Sequence, residues 1–173
     1  KWVGGRFTCD TNNLTNLKGS PVYVNGDFFC NRNFLTSLEG GPKEVTGFYY
    51  CDNNRLTNLK GSPEEIKNSL NCGDNILTSL EGCPKKIEET FDCYNNELYE
   101  FDFIPEWIGK YIFIDGTPIE SIIYKAGIDF LRAFNSYKVL KDKTINLKRL
   151  KYVMELFDHP INIEEIKKHY TIK

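Results

Sequence analysis

Five cysteines, Cys9, Cys30, Cys51, Cys72 and Cys93, stand 21 residues apart. A constant period of this length identifies a stacked repeat before any other fold is considered. Other positions keep the same register. Phe7, Phe28, Tyr49, Leu70 and Phe91 lie two residues before each Cys. Asn12, Asn33, Asn54, Asn75 and Asn96 lie three after. Leu14, Leu35, Leu56, Leu77 and Leu98 follow, then Leu17, Leu38, Leu59, Leu80 and Phe101. Pro21, Pro42, Pro63, Pro84 and Pro105 come next, and Val24, Val45, Ile66, Ile87 and Ile108 close the unit. The consensus is F-x-C-x-x-N-x-L-T-x-L-x-G-x-P-x-x-V. A decayed sixth copy has Ile112 and Ile114 for Phe and Cys, and Ile119 and Ile122 for the leucines. Trp2 to Arg6 aligns with Tyr23 to Asp27. The chain thus opens inside a coil without a Met, and further residues are expected upstream of Lys1.

Side chains two apart share a face of a strand, so Phe7 and Cys9 point inward and Thr8 and Asp10 outward. Asn12 turns the chain, and Leu14 and Leu17 return to the core. Pro21 favours an extended return path. One coil cannot bury its apolar side alone, but stacked coils share a continuous core. The expected fold is an α/β repeat solenoid of 21-residue coils. Each coil carries one short parallel strand, with an extended convex side and a small α-helical C-terminal cap.

The run Phe7-x-Cys9-x-x-Asn12-x-Leu14 resembles the core motif of the leucine-rich repeat family. Leu77-Thr78-Ser79-Leu80, followed by Pro84 and Ile87, is similar to the short bacterial subclass with an extended convex segment. Cys in the strand and Gly-x-Pro in the return resemble repeats encoded by large tailed phages. The run from Ala133 to Tyr137 and on through Leu147 to Leu150 is similar to the tail of such phage proteins. The resemblance implies a phage protein acting in the reducing cytoplasm of an infected bacterium.

Composition shifts near Asp115. The solenoid is assigned to residues 1–117 and a helical capping subdomain to 118–173. Thr117-Pro118-Ile119-Glu120 reads as a capping box with Pro at the first helical position, opening a helix that ends at Gly127. Ile128, Leu131, Phe134 and Tyr137 recur at helical spacing, giving a helix to about Val139. Lys141-Asp142-Lys143 is a turn. Asn146 caps a third helix that His159-Pro160 stops, and Asn162-x-x-Glu165 opens a short last one. An open solenoid end exposes core and strand edge, so the expected role is to cover it.

The net charge of −2 hides a division. Residues 1–117 hold 11 Lys/Arg against 17 Asp/Glu, and residues 118–173 hold 11 against 7. The acidic solenoid argues against nucleic acid as its partner. Lys148, Arg149 and Lys151 in the basic cap leave a nucleic-acid role as one alternative, and a structural virion component is another. No apolar run approaches the ~20 residues of a membrane span.

The cysteines admit disulfides, zinc or buried thiols. Stacked coils set like residues side by side with parallel Cβ directions, poor geometry for a bridge. No ligand spacing points to zinc. Small hydrophobic thiols in the core fit best, and a reduced core implies a reducing compartment. Cys83, on the return segment, stands apart. Stacked asparagines offer a donor and an acceptor to neighbouring coils, without the dense Asp/Gly pattern of calcium solenoids. Of the two histidines, His159 and His169, neither lies in a catalytic motif. No nucleophile motif or phosphate loop appears. No enzyme activity and no cofactor are expected.

The outward strand columns vary while the core does not. One residue before Cys stand Thr8, Phe29, Tyr50, Asn71, Asp92 and Phe113. One after stand Asp10, Asn31, Asp52, Gly73, Tyr94 and Asp115, and three before stand Arg6, Asp27, Phe48, Ser69, Thr90 and Tyr111. Solvent-facing aromatics mixed with carboxylates match an interface surface. The expected partner-binding residues are Asp10, Asp27, Phe29, Phe48, Tyr50, Asp52, Asn71, Asp92, Tyr94, Tyr111 and Phe113. They would take a protein with a basic surface on the concave sheet.

Overall fold

The computed structural model describes residues 1–123, 127–160 and 162–173. The repeats wind into a parallel β-solenoid whose coils are 21 residues long, with a few helices at its C-terminal end. Each coil contributes two short strands where the sequence predicts one. The first ladder joins Trp2–Val3, Tyr23–Val24, Glu44–Val45, Glu65–Ile66, Lys86–Ile87 and Trp107–Ile108. The second joins Phe7–Thr8, Phe28–Phe29, Tyr49–Tyr50, Leu70–Asn71, Phe91–Asp92 and Ile112–Phe113. All neighbours are parallel and pair like with like, as Phe28 with Tyr49 and Val24 with Val45. Each strand of the first ladder buries a single residue, Val24, Val45, Ile66 or Ile87 in the inner coils, so it lacks the inward i, i+2 pair (Phe28 and Cys30) that marks the second ladder in the sequence. Its pairing satisfies backbone groups on a return path that Pro had marked only as extended.

The core follows the repeat columns. Phe28, Cys30, Leu35, Leu38 and their equivalents in the next coils are fully buried. The aromatic column stacks along the axis, with ring centroids 5.8 Å apart for Phe7 and Phe28 and 5.1 Å for Phe28 and Tyr49. The cysteines are free thiols, with Cys30, Cys51, Cys72 and Cys93 buried. Burial pushes the thiols of these four well up, and that of Cys9 to about 11.

The asparagine column ties coil to coil. Asn54 donates to the carbonyls of Cys30, Cys51 and Asp52, and its Oδ1 accepts from the Leu35 amide at 2.9 Å. Asn33, Asn75 and Asn96 repeat the pattern. The residue before each Asn is left-handed, Thr11, Arg32, Asn53, Asp74 and Asn95, as is Gly116 before Thr117 in the sixth coil. The Asn bonds hold that turn in a conformation that L residues disfavour. Gly82 answers a second demand. Its φ is +85°, and a Cβ there would lie 2.5 Å from the Lys60 amide nitrogen of the coil before.

The C-terminal segment departs from the sequence reading in three ways. Thr117 does not close a capping box. Its hydroxyl donates to the Ile114 carbonyl at 2.7 Å, so it sits in the asparagine slot of the sixth coil. Glu120 accepts from the Gly116 amide instead, and helix α1 spans Glu120–Ile123. The expected end of that helix at Gly127 adjoins residues 124–126, which lie outside the described residues. Second, helix α2, Ile128–Ser136, stops three residues before Val139. Third, the segment is not purely helical. Leu140–Lys141 and Thr144–Ile145 form a hairpin through Asp142 and Lys143, both left-handed, and Thr171–Ile172 adds to it in parallel. Helix α3, Leu147–Phe157, is capped by Asn146, whose Oδ1 accepts from the Arg149 amide at 3.0 Å. Helix α4, Ile163–Ile166, is capped in the same way by Asn162.

This segment packs on the fifth coil. The Tyr170 hydroxyl donates to the Tyr99 carbonyl at 3.0 Å, and Asn135 donates to the Phe101 carbonyl at 2.7 Å. Lys143 stands over the Tyr99 ring. One continuous core runs from Leu17 to Tyr170. No helix among the described residues is long and apolar enough to cross a membrane.

Candidate functional site

The outer face of the second ladder gathers the variable columns. Side chains alternate across a strand, so burying Phe28 and Cys30 forces Phe29 outward, and the same holds in each coil. Register then stacks Phe29 beside Tyr50, Tyr50 beside Asn71, Asn71 beside Asp92, and Asp92 beside Phe113.

Two aromatic groups form. Near the N-terminal coils, Phe29 and Tyr50 stack at 5.0 Å, and Phe48 lies 5.4 Å from Tyr50. These three rings are half-buried by one another. At the other end, Tyr111 and Phe113 pair at 6.2 Å and are 63 % and 45 % exposed. The sequence treats all five rings alike, but only the second pair is open to solvent.

The carboxylates differ just as much. Asp27 is occupied by its own chain. Arg6 Nε and Nη2 donate to its Oδ2 at 3.1 and 2.9 Å, and the Phe48 amide donates to Oδ1 at 3.0 Å. Asp10 accepts from the hydroxyls of Thr8 and Thr11, which hold its carboxyl below the usual range. Both serve local structure at the N-terminal end. Asp52 is buried and takes a side-chain hydrogen bond from Asn53 at 3.0 Å. Desolvation raises its pKa. Asp92 is half-buried and accepts weakly from the Tyr94 amide at 3.4 Å. Burial, with the charges of Asp115, Asp52 and Asp74 adding to it, pushes its carboxyl up to about 6. Asn71 turns its Oδ1 to the Gly73 amide at 3.0 Å.

Tyr94 does not stand outward. Its ring lies over Gly73, where a Cβ would come within 2.1 Å of it. The hydroxyl donates to Asp74 at 2.7 Å, which holds the phenol up at about 12. Asp74, absent from the sequence prediction, is the hub of this edge and also accepts from Asn53 and Asn95. It occupies the left-handed column beside the outward one, so the repeat register itself carried the signal. Arg6 was likewise placed in an outward column without a role, and its guanidinium covers the Phe29 ring at 4.9 Å.

In the C-terminal segment Lys148 and Lys151 are exposed, while Arg149 donates to the Lys138 carbonyl at 3.0 Å. His159 packs on Phe130 with ring centroids 4.7 Å apart. Among the described residues no group of three or more His, Cys, Asp or Glu side chains is placed to hold a metal ion. No family model, curated protein or solved structure matches the chain.

Proposed function

We propose that the protein is a non-enzymatic interaction scaffold that binds another protein on the outer face of the second ladder. The observation that carries the reading is the exposed Tyr111–Phe113 pair beside the half-buried carboxylate Asp92, which the register sets next to Phe113. Exposed rings on a sheet gain by being covered, and the adjacent negative charge selects a partner with a basic surface. The resemblance to leucine-rich repeats of large tailed phages supports a phage protein that engages a host or phage protein in the bacterial cytoplasm, as an inhibitor or adaptor.

The test is affinity purification of the protein from its native cells, alongside the Tyr111→Ser/Phe113→Ser variant. Both side chains are largely exposed, so the variant keeps its fold. A basic protein is expected to be retained by the wild type, released by salt, and lost from the variant. Retention that survives both substitutions refutes the reading.

A further inference from the structure

A polar trough interrupts the outer face between its two aromatic groups. Register sets Asn71 and Asp92 between Tyr50 and Phe113. Ser69 and Thr90 stand between Phe48 and Tyr111 in the neighbouring column. Three steps of ~4.8 Å separate the flanking rings by about 14 Å, room for one long side chain laid between them. Asp92 contributes a carboxylate here, the buried Asp52 lies on the coil of Tyr50 at the trough's edge, and among the described residues no ion pair includes either.

The same face already holds one cation. Arg6 lays its guanidinium over Phe29 and directs its Nε and Nη2 to Asp27. An aromatic face beside a carboxylate is thus this ladder's own way of seating an arginine. The trough offers the same two chemical elements in another arrangement: Tyr50 and Phe113 flank it, Asp92 stands next to Phe113, and Ser69 and Thr90 take the places equivalent to Asp27.

We propose that the trough is a receptor for an arginine side chain presented by a protein partner, with the guanidinium donating to Asp92 and lying against Tyr50. This rests on the reading of the face as a protein-binding surface and names the group it recognises. A guanidinium fits better than an ammonium, because it is planar, weakly hydrated, and able to stack and donate at once. The surroundings of Asp92 support the assignment. Ionised Asp92 is disfavoured by its surroundings, and a bound cation relieves that.

The experiment is an NMR titration of the full chain with acetyl-arginine amide, acetyl-lysine amide and acetyl-citrulline amide. Arginine is expected to bind saturably, shifting the Asn71 side-chain amide and the Gly73 and Tyr94 backbone amides. Citrulline keeps the shape without the charge and is expected to bind about tenfold more weakly or less. Asp92→Asn is expected to weaken arginine about tenfold without lowering the thermal transition. Equal binding of citrulline or lysine, shifts confined to other surfaces, or an unaffected Asp92→Asn variant overturns the proposal. The two readings fail separately. A protein retained by wild type and Asp92→Asn alike, but lost from the Tyr111/Phe113 variant, overturns the arginine receptor and leaves the docking face standing. Arginine bound in the trough with no protein retained does the reverse.

Discussion

Asn75→Ala removes one of the four asparagines, with Asn33, Asn54 and Asn96, that each make four side-chain hydrogen bonds in the solenoid. Asn75 Nδ2 donates to the carbonyls of Cys51, Cys72 and Gly73 at 3.0–3.1 Å, and its Oδ1 accepts from the Leu56 amide at 3.0 Å. The losses are unequal. The Cys51 carbonyl keeps Asn54, the Cys72 carbonyl keeps Asn96, and the Gly73 carbonyl keeps the Asn53 amide. Each of those three bonds is a partial loss of about 0.5–1 kcal/mol. The Leu56 amide keeps no acceptor in a buried setting, which costs about 1–3 kcal/mol. The expected total is about 2.5–6 kcal/mol, or a fall in Tm on the order of 10 °C for a chain of this size. Asn12→Ala is the internal control. Asn12 is exposed and makes two bonds, to the Cys9 and Asp10 carbonyls, so its removal should cost about 1 kcal/mol or less. Urea unfolding followed by circular dichroism reads the difference. Hydrogen exchange at the Leu56 amide reads the orphaned donor directly, which matters if a stacked array does not unfold in one step. If Asn75→Ala costs no more than Asn12→Ala, the coil-bridging role assigned to the column is wrong.

Two further outcomes follow from the core and the face. The Tyr49 hydroxyl is buried and has no hydrogen-bond partner among the described residues, in a column otherwise held by Phe, Leu and Ile. Tyr49→Phe is therefore expected to stabilise by about 1 kcal/mol in urea titrations, and a loss of stability would show that the hydroxyl is satisfied. Asp92 has a folded-state pKa of about 6 against an ordinary 3.8. The folded state thus binds more protons between those values, and stability falls as pH rises through them. Asp92→Asn should raise stability by about 1 kcal/mol near neutral pH, allowing for solvent screening, and by nothing where both states are protonated below about pH 3. Thermal melts across this range check it, and a gain independent of pH would refute the burial argument.

The amino-acid sequence determined the coil length, the core columns and the asparagine ladder. Each is a property of identical neighbours stacked at one spacing, so a column of like residues reports its own surroundings. It did not reveal the first ladder, because each of its strands buries one residue and so lacks the inward i, i+2 pair that marks the second. Thr117 was misread for a related reason: the asparagine slot of a decayed coil looks locally like a helix cap. The C-terminal hairpin and its third strand join Thr144–Ile145 to Thr171–Ile172, a pairing that no local pattern encodes. On the outer face the sequence named the columns but could not rank their members. Tyr94 lies down because its neighbour one coil earlier is Gly73, and Asp27 is consumed because Arg6 reaches it from one coil before. Asp92 has no ion-pair partner among the described residues, because the side chains beside it across the coils are Asn71 and Phe113. Which side chains are free to act depends on how unlike neighbours pack across coils, and only the tertiary structure decided that.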